Sequence, residues 1–342
     1  MTQKPENFED PIRSMLASGG KSARTGWVSR GKPILKWAIV GIVALFLVLT
    51  IRRAYSDIQS QNEHLDFSAM DWRWLCLGVP VYAIGMLPAA IAWLQTLKAF
   101  GQSVPPLIGL HAFFIGHLGK YVPGKAMVIV LRVGKLYPLG VEIKPTIVSI
   151  FVETLTSLCA GAILGSVFLM TQSPPTWMLW SAMACIPAAL VLLLPHTFRA
   201  VLAVLAKSKI GRMPRSVSNA FTWPMMIRTT GWMALGVMLH GTAGWLVLCG
   251  IHPSPSLWTL HAWMACVSAV SLGAVVGFAS MLPGGAVVKE LVITWLLTSL
   301  VPQPIALVAA IAFRIANLIA EFLMIGVLTV WKSDRIQGRT AT

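Results

Sequence analysis

A chain of 342 residues that is 56% apolar and only 11% charged, with a mean hydropathy of +0.73, cannot wet the surface of a soluble domain, where roughly a quarter of residues would be charged. Its formal charge of +15 comes from 27 Lys and Arg against 12 Asp and Glu. These basic residues sit in tails and connections rather than on one folded face. That excludes a nucleic-acid partner, matches the positive-inside bias of membrane proteins, and implies anionic lipid headgroups as partners.

The long apolar runs do not alternate in polarity, which excludes a membrane β-barrel. A hydrocarbon core of roughly 30 Å takes about 20 helical residues, and only helices satisfy their own amides there. The fold class read from the sequence is therefore an all-α polytopic membrane protein. It has about eight spanning helices plus one or two broken or re-entrant helical hairpins.

Residues 1–33 are mostly polar, carry Lys4, Arg13, Lys21, Arg24, Arg30 and Lys32, and read as a disordered basic tail. No small-residue cleavage site follows the first apolar run, 34–51, which reads as a retained signal anchor. A transmembrane domain then extends over 34–331. After the first span come Asp57, Glu63, Asp66 and Asp71, with Arg52 and Arg53 at the membrane edge. The next span is expected at 74–97, with Trp72, Trp74 and Trp93 as interfacial anchors. Residues 107–133 are apolar but interrupted by His111, Gly116, His117, Gly119, Lys120, Pro123, Gly124 and Lys125. A helix cannot run straight through this break, because Pro123 lacks a backbone donor and clashes with the preceding turn.

Regular spans are expected at 146–170 and 176–196, followed by a basic loop over 196–228 and a span at 228–250. A second interrupted stretch, 257–301, breaks at Pro283, Gly284 and Gly285 and then carries Lys289 and Glu290. The last span is expected at 304–331, before a short basic tail, 332–342.

The basic segments orient the chain. Placing the N-terminal tail, the 196–228 segment and the C-terminus in the cytoplasm satisfies every regular span. The condition is that 107–133 enters and leaves on the cytoplasmic side. The same count makes 257–301 begin and end outside. The expected location is the cell (inner) membrane, with multiple passes and both termini cytoplasmic.

The two breaks, Tyr121-Val122-Pro123-Gly124-Lys125-Ala126 and Met281-Leu282-Pro283-Gly284-Gly285-Ala286, are alike, and they enter from opposite sides. Paired Gly/Pro-interrupted segments in two inverted halves are a sequence pointer to a transport site. Helix starts after such breaks present free N–H groups to an anion such as a phosphate.

Gly119 to Lys125, followed by Arg132, resembles the signature of the lysylphosphatidylglycerol synthase transmembrane family. Pro283, Gly284 and Gly285, then Lys289-Glu290 and Arg314, resemble that family's second signature, and the likeness covers about 35–331. It implies a lipid or lipid-linked substrate. The aminoacyl transferase that accompanies this region in some relatives has no room here, which excludes lipid aminoacylation in cis. Val287-Val288 departs from the pattern, where a glycine is expected.

Ionisable groups inside spans cost about 2.5–3.5 kcal/mol each at the helix centre on insertion scales and face a partner or cavity. Glu153, Glu290, Arg314 and Glu321 are such groups. Arg314 and Glu321 lie two turns apart on one helix face with Asn317 between them. Arg314 is expected to contact substrate phosphate or to pair with Glu290. Lys120, Lys125 and Arg132 are candidates for a cytoplasmic phosphate-receiving cluster, with headgroup snorkelling as the plainer alternative.

The substrate-binding candidates are thus Lys120, Pro123, Gly124, Lys125, Arg132, Pro283, Gly284, Gly285, Lys289, Glu290 and Arg314. The five cysteines read as packing residues. His111 and His117, six apart, do not share a helix face as metal ligands would. No metal, cofactor, nucleotide motif or catalytic constellation is indicated.

The function expected is translocation of an anionic phospholipid or polyprenyl-linked lipid, with a partner enzyme that makes or uses it. The alternatives are a membrane-embedded transferase, with Glu153 or Glu290 as base, and an accessory or scaffold subunit of lipid-linked glycan or lipid modification.

Overall fold

In an apolar medium each segment must satisfy its own backbone amides. The computed structural model describes residues 67–121, 126–209, 214–285 and 287–340, and among these it contains helices and 3-10 turns and no strand. The expected tail and first span, 1–51, lie outside the described residues, as do Pro123, Gly124 and Lys125.

In chain order the helices are α1 (Trp72–Ala99), the short α2 (Pro106–His117) and α3 (Ala126–Leu136), α4 (Ile143–Met170) and α5 (Thr176–Leu193). There follow α6 (Pro195–Lys209), α7 (Arg215–Ala220), α8 (Trp223–Ile251), α9 (Leu260–Ala279), the short α10 (Val288–Leu297) and α11 (Gln303–Thr340). Six stretches among the described residues are long and apolar enough to span a bilayer: α1, α4, α5, α8, α9 and Gln303–Trp331 of α11. The chain is a polytopic all-α membrane protein.

The seam between α1 and α8 is set at its end by Asp71. Its carboxylate accepts from the Arg73 N–H at 3.0 Å, while its own N–H donates to the Gly250 carbonyl at 2.8 Å. From there the helices run antiparallel, Gly78 lying against Val247 and Gly85 against His240. Lipid tails are as apolar as leucine, so helix association depends on close packing, and small residues permit it. A Cβ on Gly250 would stand 2.7 Å from the Leu75 nitrogen. Helices α4 and α9 are likewise antiparallel, with the Ser268 hydroxyl donating to the Gly165 carbonyl at 2.8 Å.

Hairpin 1 is α2 and α3. Arms of 12 and 11 residues reach about 18 and 16 Å, too short to cross roughly 30 Å of hydrocarbon. Neither arm is among the helices of span length in the described residues. The two arms close at Gly119, where a Cβ would lie 2.4 Å from the Val128 nitrogen. Hairpin 2 pairs the 20-residue α9 with the ten-residue α10, so only its first arm is long enough to span.

Contacts along α11 give the direction of each. His111 of α2 bonds Thr329 at 3.2 Å and Lys120, beyond the end of α2, pairs with Glu321, so α2 descends beside the later part of α11. Glu290 pairs with Arg314, while Ile293 and Leu297 face Ala309 and Phe313, so α10 climbs toward the start of α11. The hairpins enter from opposite faces, and turn 118–121 packs on turn 283–285.

Two expectations are corrected. The segment 196–228 is not a loop: α6 and α7 occupy it, burying Phe198, Leu202 and Val217 in one cluster with Phe221. Its apolar residues recur on one face between basic ones, the pattern of a surface-lying amphipathic helix. Trp93 is not an interfacial anchor. It is fully buried, and its indole N–H donates to the Ser149 hydroxyl at 2.9 Å. The last helix also continues past 331 to Thr340.

Candidate functional site

Turn 118–121 ends hairpin 1's first arm and carries Lys120 and Tyr121 into the interior. Lys120 pairs with Glu321, which is 1% exposed. The Tyr121 hydroxyl donates to the other carboxylate oxygen of Glu321 at 3.0 Å, and the Tyr82 hydroxyl reaches Glu321 at 3.5 Å. One carboxylate of α11 thus collects donors from α1 and from hairpin 1.

On the other side of the meeting point, Gly284 and Gly285 adopt φ of +60° and +65°, a left-handed region closed to most side chains. A Cβ on Gly284 would lie 3.2 Å from the Tyr121 ring and 3.5 Å from Arg314 Nη2. The two breaks and the Arg314 guanidinium therefore meet at one point. Pro283 belongs to the same 3-10 turn.

Arg314 pairs with Glu290, and both are buried. Of the two Glu290 oxygens, Oε2 has no hydrogen-bond partner among the described residues; nor do Asn317 Oδ1, Thr294 Oγ1 and His240 Nε2. Buried polar atoms are nearly always satisfied, so these four stand out among the described residues. Lys289 turns its ammonium toward the Phe313 ring, 5.3 Å from the centroid. Lys120 and Arg314 each pair with a carboxylate, Glu321 and Glu290, and Lys289 is a third basic side chain nearby, set against a ring.

Arg132 does not join Lys120 on a shared carboxylate. It is 1% exposed, pairs with Glu153 on α4, and lies between the Trp93 and Phe113 rings at 4.6 and 4.4 Å. Glu153 and Glu290, the candidate bases of an enzymatic reading, are thus each held by an arginine. No group of three or more metal-binding side chains occurs among the described residues. Of the candidates, the structure gathers Lys120, Gly284, Gly285, Lys289, Glu290 and Arg314 at the centre and sets Arg132 on the second arm of hairpin 1, against α4. Pro123, Gly124 and Lys125 lie outside the described residues.

Sequence reasoning missed Tyr82 and His240, which stack at 4.4 Å in the core, and gave Tyr121 no role of its own. The available signal was a tyrosine at mid-span rather than at a membrane interface, where Tyr is enriched.

Fold and site together define a multi-pass membrane protein whose centre is two opposed, broken helical hairpins closed on paired charges. Residues 34–324 match the lysylphosphatidylglycerol synthase TM region family model, and the chain belongs to that family. No curated protein matches the chain. The family places it among membrane proteins with lipid-related functions.

Proposed function

We propose that this protein moves an anionic lipid, a phospholipid or a polyprenyl-linked lipid, between the leaflets of the cell membrane. The observation that carries the reading is the tip-to-tip contact of the two hairpins beside Arg314. Two ion pairs stand in series along α11: Lys120–Glu321 holds hairpin 1, and Arg314–Glu290 holds hairpin 2. A headgroup phosphate entering between the tips exchanges Glu290 for itself at Arg314, and the nearby Lys289 adds charge compensation. The lipid tails stay in hydrocarbon. Opening one pair at a time gives alternating access around a central site, as in other transporters built from broken helices.

Hairpin 1 opens toward the cytoplasm in this reading, with both chain termini on that side and the turns near 173 and 254 outside. A cysteine at Ser173 or Ser254 should then be labelled from outside, and labelling at Lys209 would reverse the orientation. A partner enzyme that makes or consumes the lipid completes the reading.

The test is lipid translocation in proteoliposomes with Arg314→Lys, Arg314→Gln, Glu290→Gln and the Arg314→Gln/Glu290→Gln double variant at matched insertion. A guanidinium grips phosphate with two parallel hydrogen bonds that an ammonium cannot reproduce. Arg314→Lys should therefore lose about tenfold or more, and the double variant should stay inactive. A wild-type-like double variant would reduce Arg314 to a structural partner of Glu290. Chemical conversion of the lipid without translocation would favour a transferase.

A further inference from the structure

Glu321 is held entirely by other elements. Its donors are Lys120 and Tyr121 from the turn of hairpin 1 and Tyr82 from α1. Of the other titratable groups around it, Lys289 of α10 is near enough to act on Glu321 electrostatically, and His117 of α2 lies near Lys120. His240 of α8 stacks on Tyr82, and His111 of α2 bonds Thr329, two turns further on. Arg314, two turns back, is paired with Glu290, and Lys289 of α10 faces Phe313. In the closed arrangement Glu321 is therefore a satisfied anion whose counter-ion is Lys120.

The proposed function requires the turn of hairpin 1 to part from hairpin 2, and the following inference rests on that reading. Lys120 and Tyr121 sit on that turn, so both leave Glu321 when it moves. Lys120 is 31% exposed and carries its charge to water, while Glu321 stays in the bundle. A buried carboxylate that loses its paired ammonium and a hydroxyl donor, with Lys289 left only at a distance, is better accommodated with a proton bound.

We propose that Glu321 is a proton-binding site and that this protein couples lipid movement to proton movement. When hairpin 1 opens, a proton from water on its side bonds to a Glu321 carboxylate oxygen, and the ion pair to Lys120 breaks with Lys120 still an ammonium. When hairpin 1 recloses with the Arg314–Glu290 pair parted, returning Lys120 displaces the proton toward the opposite face. One lipid and one proton then travel in the same direction.

The experiment uses the full chain inserted in one orientation in phosphatidylcholine vesicles with trapped pyranine. The probes are fluorescent phosphatidylglycerol and an equally labelled polyprenyl phosphate, assayed at symmetric pH and with a one-unit pH gradient. One-to-one coupling predicts about a tenfold difference in labelled lipid between leaflets under the gradient, with a matching pyranine signal in the wild type. Whatever rate Glu321→Gln retains, the ratio of labelled lipid between leaflets should be the same with and without the pH gradient, with no proton signal. Wild-type translocation of equal extent with and without the gradient would overturn the coupling and leave the lipid-transport reading intact. A Glu321→Gln protein that still follows the gradient would also overturn it. No translocation of either probe by the wild type would overturn both readings.

Discussion

Hairpin 1 has two short arms, brings Lys120 to Glu321, and seats Arg132 between two aromatic rings opposite Glu153. Hairpin 2 has one long and one short arm, and its turn holds four residues at positive φ: Met281, Gly284, Gly285 and Val287. Its Lys289 meets a ring, and one oxygen of its Glu290 is unbonded among the described residues. Both entered the sequence as similar Pro-Gly breaks. The first is charge-matched and bolted to α4 and α11; the second stores backbone strain and keeps unsatisfied polar atoms at the centre. A strained, incompletely satisfied element is the kind that has a second arrangement within reach. In the proposed function, hairpin 2 would be the part that accommodates the headgroup and hairpin 1 the part that opens.

The largest expected effect that tests this contrast is on hairpin 1. Arg132→Leu leaves Glu153 charged and buried without a partner, and should lower stability by about 3–5 kcal/mol. Adding Glu153→Leu should restore most of that loss, since removing both members of a buried pair can be neutral. Thermal unfolding in detergent measures both. A mild single variant would mean that hairpin 1 is not held by this pair.

Next is Gly284→Ala. It forces a side chain into φ +60° and against the Tyr121 ring, at a cost of about 1–2 kcal/mol. Translocation should fall more than stability, because the strain lies where the hairpins meet. Equal losses in both would make Gly284 a packing residue only.

The smallest effect is expected at Val287, a β-branched residue at φ +69° within the Val287-Val288 pair, near which a glycine is expected. Val287→Gly should relieve the strain and be neutral or stabilising by about 1 kcal/mol, since the gain is partly offset by a more flexible unfolded chain. A clear loss of stability in the same unfolding measurement would show that the departure from glycine is compensated by packing.

How much was legible in the sequence can be argued residue by residue. Pro283-Gly284-Gly285 marked the second break because proline and glycine act through the backbone alone. Glu290, Arg314 and Glu321 stood out because a charge in an apolar run needs a partner wherever the run goes. Their partners were less legible. Glu290 was named for Arg314, but nothing in spacing said that Lys120 would reach Glu321, 201 residues away, or that Arg132 would turn to Glu153 instead. The basic stretch 196–228 reads as a loop because its charges outweigh the sparse apolar face that folds it onto Phe100.

The sequence alone determined the class of structure. Amides cannot go unpaired in hydrocarbon, so apolar runs of span length become helices, and Pro-Gly interrupts them where it stands. Only the tertiary structure decided that the two breaks touch, that Arg314 lies beside Gly284, and that Tyr82 and His240 stack behind Glu321. Those are contacts between segments distant in the chain. They follow from which small residues let helices approach and which charges remain to be paired once the helices are packed, and neither is written in the spacing of any one segment.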